Sequence, residues 1–191
     1  ALAALGIGTG DEVIVPGFTF AGSVSPILRR GAVPVLAPTS ARLWNVDVDQ
    51  LTGLITSRTK AIIGVHLYGV PCEIARIAEI CREHGLCLIE DCAEALGARF
   101  DGKFVGHFGD VATFSFFGNK VISTGEGGMI TTNDGNLARL MRQLKEQGMD
   151  PDRRYFFPIV GYNFRLTNVA CAILCAQLER SELLLKKRAE V

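Results

Sequence analysis

Apolar positions in this chain fall into short unbroken blocks separated by amphipathic stretches. Glu12 to Pro16, Val33 to Leu36, Ala61 to Val65 and Cys87 to Ile89 are rich in β-branched and aliphatic residues and show no polar alternation. All four read as strands, and in Ala61 to Val65 and Cys87 to Ile89 the pattern is that of strands covered on both faces. Between them, Phe18 to Arg30 reads as a helix, with two arginines in its last turn and Gly31 closing it. A shorter helix is expected from roughly Asp49 to Ile55. Glu73 to His84 puts Ile74, Ile77, Ala78 and Cys81 at helical spacing, and Gly85 stands where a C-terminal cap belongs. Strand and helix alternate, so the expected class is α/β with a mostly parallel sheet.

The middle of the chain breaks this rhythm. Ala98-Arg99-Phe100 and Lys103-Phe104-Val105 flank Asp101-Gly102, a hairpin signal. A strand from Val111 to Phe114, a glycine-rich turn and a strand from Met129 to Thr132 follow. Asp134 can cap a helix with the stripe Leu137, Leu140, Met141 and Leu144, ending at Gly148. Pro151 to Gly161 is irregular and aromatic. Thr167 or Asn168 can cap a last helix, apolar as far as Leu178 and charged beyond Glu179.

Composition narrows the function classes. The chain has 191 residues, 48% hydrophobic and 21% charged, enough for a real core. Twenty basic residues balance 20 acidic ones. This leaves no electrostatic footprint for nucleic acid and no polybasic membrane patch. No stretch is long and apolar enough to span a bilayer. The six cysteines form no C-x-x-C pair, which argues against zinc and for a reducing, cytoplasmic setting. G-x-G-x-x-G, P-loop and G-x-S-x-G patterns are absent, which weakens dehydrogenase, NTPase and serine-hydrolase readings.

The turn between the last two strands carries the chemistry. In Thr113-Phe114-Ser115-Phe116-Phe117-Gly118-Asn119-Lys120, an apolar run leads to one lysine, and Gly125, Gly127 and Gly128 follow. A lysine between strands is ordinarily a solvated loop residue. Aromatic and small neighbours set this one apart, because apolar surroundings favour the neutral amine that a Schiff-base lysine needs. Glu90-Asp91 directly follows a buried strand, at the carboxyl end where open α/β sheets bind ligands. Alone, such an acid reads as a turn or cap residue. Lysine and carboxylate together are the pair that pyridoxal phosphate chemistry requires.

These motifs resemble the DegT/DnrJ/EryC1/StrS family of pyridoxal-phosphate sugar aminotransferases. The similarity runs from Gly10-Asp11-Glu12-Val13-Ile14-Val15-Pro16 to Gln177-Leu178-Glu179-Arg180, and the family's perosamine-forming branch is nearest in pattern. The resemblance implies an aspartate aminotransferase-like, fold type I large domain spanning 1–191. It also implies that the chain is a piece cut at both ends, lacking an N-terminal phosphate turn and a small C-terminal domain. It implies the cofactor pyridoxal 5'-phosphate, with Lys120 as its attachment and proton shuttle and Asp91 as the pyridinium partner. Glu90 is left structural. The resemblance implies that Glu94 stands near the cofactor's phenolic oxygen; the other reading is a helix-surface glutamate. Phe20 stacks on the ring, and Ser115 donates to the phosphate. Asn163 reaches into a partner's site, so a homodimer with shared active sites is implied. The implied reaction moves an amino group from glutamate to a nucleotide-linked 4-keto-6-deoxy sugar, GDP-4-keto-6-deoxymannose being the specific expectation. A sugar dehydratase of the same family, in which histidine typically replaces the lysine, and a non-catalytic regulatory relative are the alternatives. Lys120 argues against the first, and the intact Asp91, Ser115 and Lys120 set against the second. His66 is expected to line the pocket, and His84 and His107 to be structural.

Overall fold

The computed structural model describes residues 1–190. One sheet of six strands organises it, in the order β2-β1-β3-β4-β7-β8. The strands are β1 (Glu12–Pro16), β2 (Val33–Ala37), β3 (Thr59–Val65), β4 (Cys87–Asp91), β7 (Val111–Ser115) and β8 (Gly128–Thr131). The pairs β1–β2, β1–β3, β3–β4 and β4–β7 are all parallel. Helix α1 (Ala21–Arg29) links β1 to β2, and α2 (Ile74–His84) lies between β3 and β4. The α/β class with a mostly parallel sheet is what the strand–helix alternation predicts.

The chain divides into two compact units, Ala1–Phe114 with Ile130–Thr132, and Ser115–Met129 with the residues from Asn133 onward. The first unit holds the main core. Ile14, Ile62 and Leu88 from β1, β3 and β4 pack with Ile74, Ile77 and Cys81 from one face of α2. A side chain at Gly64 would come within 3.1 Å of Ile74 Cδ1, so glycine on β3 is what lets α2 sit this close. Gly85 ends α2 in the left-handed conformation, φ 64°. The Asp101-Gly102 hairpin forms as read, joining β5 (Arg99–Phe100) to β6 (Lys103–Phe104). Both turn residues have positive φ, 47° and 76°, as a type I′ turn requires.

The second unit contains the lysine turn and α3 (Gly135–Lys145), α4 (Asn168–Leu178) and α5 (Ser181–Ala189). Asp134 accepts from the Asn136 and Leu137 N–H groups, and Thr167 Oγ1 accepts from Ala170 N–H. Thr167, not Asn168, is therefore the cap of α4. None of these three helices has a fully buried residue.

Helix α3 ends at Lys145, three residues before the expected Gly148, and two further elements differ from expectation. The helix expected over Asp49 to Ile55 is a pair of 3-10 turns, Val48–Gln50 and Thr52–Leu54. Asp47 accepts from Asp49 N–H and Leu51 is fully buried, so one inward side chain fixes the turns without a helical stripe. Helix α1 begins at Ala21, three residues later than expected, because Gly17 N–H still bonds to Ala37 O and prolongs the strand-like chain.

Candidate active site

Strand β4 delivers two adjacent carboxylates to opposite fates, because successive side chains of a strand point to opposite faces. Glu90 is fully buried. Its oxygens accept from the N–H groups of Gly106, Phe108 and Gly109, each at 2.7 Å, and His66 Nε2 lies 3.2 Å away. Burial alone pushes this carboxyl upward. The bonds from His66 and the three backbone N–H groups outweigh it and hold Glu90 below the ordinary carboxylate range. His66 Nδ1 accepts from Cys72 N–H at 3.3 Å, which assigns the ring proton to Nε2, facing Glu90. The expectation that His66 lines a pocket is corrected by its burial, 0% exposed. The structural reading of Glu90 stands: it ties the 106–109 loop to the end of β4.

Asp91 faces the other way and is half-buried. Ser23 Oγ, from the first turn of α1, donates to its Oδ2 at 2.7 Å, and Ala93 N–H donates to Oδ1 at 3.1 Å. Each oxygen keeps a lone pair for a further donor. Phe20 is the N-terminal boundary of α1, with its ring 78% exposed. Glu94 sits in a turn, not on a helix, so its helix-surface alternative falls. Its Oε2 accepts from Tyr68 N–H at 2.9 Å and supports a residue held at φ 52°. Asn45, which is buried where Glu94 is exposed, accepts from Leu67 N–H and donates to Val70 O, so it and Glu94 together fix the turn that follows β3.

In the second unit the lysine turn is built from short internal bonds. Lys120 N–H donates to Phe117 O, Phe116 N–H to Gly127 O and Thr124 N–H to Phe116 O. Ser115 Oγ accepts from Phe117 N–H at 3.2 Å, an arrangement that directs its own hydroxyl proton elsewhere. Gly127 has φ 149°, and a side chain there would come within 2.8 Å of Leu166 Cδ2 and Thr124 Oγ1. Gln177 of α4 clamps the turn with both ends of its amide. It donates to Ser123 O, and its Oε1 accepts from Ser123 N–H at 3.0 Å. Asn163 is exposed and joins Glu146 in an isolated antiparallel bridge. The rings of Tyr162 and Phe164 stack beside it, 4.9 Å apart and 2° from parallel.

The structure thus joins Asp91 to Ser23 within the first unit, along with Phe20 and Glu94, and places Ser115, Lys120 and Asn163 in the second. Ser23, Asn45 and Gln177 were not anticipated. The legible signal for Gln177 was an amide that follows eight apolar residues in its helix; Ser23 offered none, since serine in a first turn is ordinary. The residues fit pyridoxal phosphate on donor chemistry. Asp91 keeps acceptor capacity for a ring N–H, Phe20 presents an open aromatic face, and Ser115 retains a hydroxyl proton for a phosphate. Among the described residues, His66, Glu90 and Cys92 lie close enough to suggest a metal. Glu90 already accepts four bonds, which leaves that cluster no charge-rich ligand to offer.

The sequence pattern of the DegT/DnrJ/EryC1/StrS aminotransferase family matches residues 1–191. GDP-perosamine synthase of Caulobacter vibrioides is 57% identical over 191 residues, covering 100% of this chain and 52% of that protein. GDP-perosamine synthase of Escherichia coli O157:H7 is 47% identical over the same length, again covering 52% of that protein. The chain therefore spans about half the length of these curated relatives. Among solved structures, Helicobacter pylori PseC, an aminotransferase involved in the biosynthesis of pseudoaminic acid, superposes with a TM-score of 0.91. It is 31% identical, over 98% of this chain and 53% of that one. The architecture is accordingly that of the fold type I pyridoxal-phosphate aminotransferases.

Proposed function

Because the chain belongs to the DegT/DnrJ/EryC1/StrS aminotransferase family, we propose that the protein it represents transfers an amino group to a nucleotide-linked keto sugar. The substrate we infer is GDP-4-keto-6-deoxymannose, the donor glutamate and the product GDP-perosamine. Identity of 57% to a GDP-perosamine synthase supports the substrate. The observation that carries the chemistry is Asp91, fixed by Ser23 and Ala93 at the carboxyl end of β4 with acceptor capacity to spare.

When bound, pyridoxal phosphate supplies the electron sink that makes the donor's α proton removable. Asp91 would hold the ring nitrogen, Phe20 would cover the ring, Ser115 would bond the phosphate, and Glu94 would stand near the phenolic oxygen. Lys120 would anchor the group. Its free Nζ would take the proton from the α carbon of glutamate and would give a proton to the sugar carbon that receives nitrogen. The same lysine disfavours the dehydratase alternative. Asn163 would complete the site of a second copy, which makes the working enzyme a homodimer. We infer a reducing, cytoplasmic setting from the six free thiols. No described helix is long and apolar enough to cross a membrane.

The test is the full-length protein incubated with GDP-4-keto-6-deoxymannose and glutamate, with product read by mass spectrometry. Formation of the GDP-linked amino sugar is expected. Borohydride should fix the cofactor on the peptide containing Lys120. Lys120→Ala should lower turnover by at least ~10²–10⁴-fold, the size of a lost acid–base group. Near wild-type turnover in Lys120→Ala would overturn the assignment.

A further inference from the structure

We propose that Ser23, with Thr19 behind it, is a positioning residue for Asp91: a two-hydroxyl relay that fixes the carboxylate meant for the cofactor's ring nitrogen. This rests on the aminotransferase reading and adds to it a residue outside the expected set.

The geometry fixes the direction of the relay. Ser23 is buried, 6% exposed, and its Oγ lies 2.7 Å from Asp91 Oδ2, a carboxylate oxygen that only accepts. Its one proton is therefore committed to Asp91. Thr19 Oγ1 is 3.0 Å from the same Ser23 oxygen, so Thr19 must be the donor in that contact. The order is Thr19 O–H to Ser23 O–H to Asp91. The residues are far apart in sequence, Ser23 and Asp91 being separated by 68 positions, so this is a tertiary contact between α1 and the end of β4. With Ala93 N–H on the other oxygen, both ends of the carboxylate are held from the protein side. A carboxylate so held cannot rotate away, and its remaining lone pairs are aimed in a fixed direction. The Ser23 hydroxyl therefore sets how strongly Asp91 draws on a ring N–H. Chained hydroxyls polarise each other, so Thr19 acts on Asp91 only through Ser23.

The experiment uses the full-length holoenzyme with Ser23→Ala, Ser23→Thr, Thr19→Val and Asp91→Asn. It measures the ratio of the cofactor's absorbance bands at fixed pH, turnover with saturating glutamate, and thermal midpoint. Ser23→Ala should change the band ratio by about threefold or more, half a unit in a proton equilibrium, and lower turnover about tenfold. Ser23→Thr, which keeps the hydroxyl, should restore both. Thr19→Val should shift the ratio in the same direction by less, and Asp91→Asn by more. If Ser23→Ala lowers the thermal midpoint yet leaves band ratio and turnover at wild-type values, Ser23 only packs and the proposal is overturned. If the wild-type protein shows no visible cofactor band with added pyridoxal phosphate, the functional reading falls, and the relay with it.

Discussion

The end of β4 and the segment from Pro151 to Arg165 are both rich in residues with functional potential, and they are built in opposite ways. At the end of β4 the polar atoms meet buried partners. Glu90 accepts from four donors, His66 bridges Glu90 and Cys72, and Asp91 is gripped by Ser23. In the other segment Tyr155, Phe156, Phe157, Val160 and Phe164 are exposed. Arg153 and Arg154 lie over the rings of Phe156 and Tyr155. The first region is complete within its own unit: its backbone N–H groups would be costly to bury if any partner were missing. The second is a surface whose apolar area has chemistry to offer to something else. A residue's place in the chain thus predicts less than whether its neighbours already satisfy it.

Breaking the first region should give the largest effect. Glu90→Ala strips three half-buried N–H groups and the buried His66 of their acceptor, and a loss of roughly 3–5 kcal/mol in unfolding free energy is expected, measured by denaturant titration. A loss under about 1 kcal/mol would mean that water replaces the carboxylate and the region is not closed.

The same group makes a pH prediction. Because Glu90 is held below its ordinary value, its contribution is complete above the ordinary carboxylate range and is lost as pH falls through its folded value. Thermal midpoints of the wild type should therefore drop on acidification below about pH 4.5, and Glu90→Gln should flatten that dependence. Parallel curves for the two proteins would assign acid sensitivity elsewhere.

Gln177 tests whether the lysine turn belongs with the closed region or the open one. Gln177→Ala should cost about 1–2 kcal/mol, since two backbone bonds to Ser123 are lost from a half-buried site. Hydrogen exchange at Thr124 and Lys120, whose N–H groups are bonded within the turn, should quicken at the same time. Unchanged protection would show that the glycine turn holds itself.

The smallest effect on stability should come from the exposed segment. Asn163→Trp should change unfolding free energy by less than about 0.5 kcal/mol, as surface replacements do. If Asn163 completes a second copy's site, as proposed, its consequence falls on the assembly. Full-length Asn163→Trp and Lys120→Ala should each be inactive, and their mixture should regain activity as hybrid dimers form with one intact site. No recovery, with subunit exchange verified by mass spectrometry of tagged chains, would remove Asn163 from a shared site.

The cysteines show that chemical type alone did not settle role. Six free thiols are present, and burial pushes Cys72 and Cys81 up to about 12. These two are inert core residues of the kind that Cys81's position in a helical stripe announces, whereas Cys175 is exposed.

What the sequence by itself determined was everything carried by local chemistry or period. The unbroken apolar runs became parallel strands, buried in β1 and β3 and largely so in β4, where covered strands need no polar face, while Val33 and Leu36 of the edge strand β2 stay exposed. Asp101-Gly102 became a hairpin because both residues tolerate positive φ, and Asp134 and Thr167 became caps because their side chains reach the first free N–H groups of a helix. The motif around Lys120 was legible for the same reason, being contiguous. The tertiary structure alone decided the partners of Glu90, Asp91, Glu94 and Gln177, each of which bonds to atoms 16 to 68 residues away. It also separated Asp91 from Glu90, neighbours of one charge and nearly one shape. Nothing in two adjacent acids says which will meet a loop of N–H groups and which a hydroxyl. That follows from the alternation of β4 and from where Gly106–Gly109 and α1 come to rest against it, distances that no local pattern encodes.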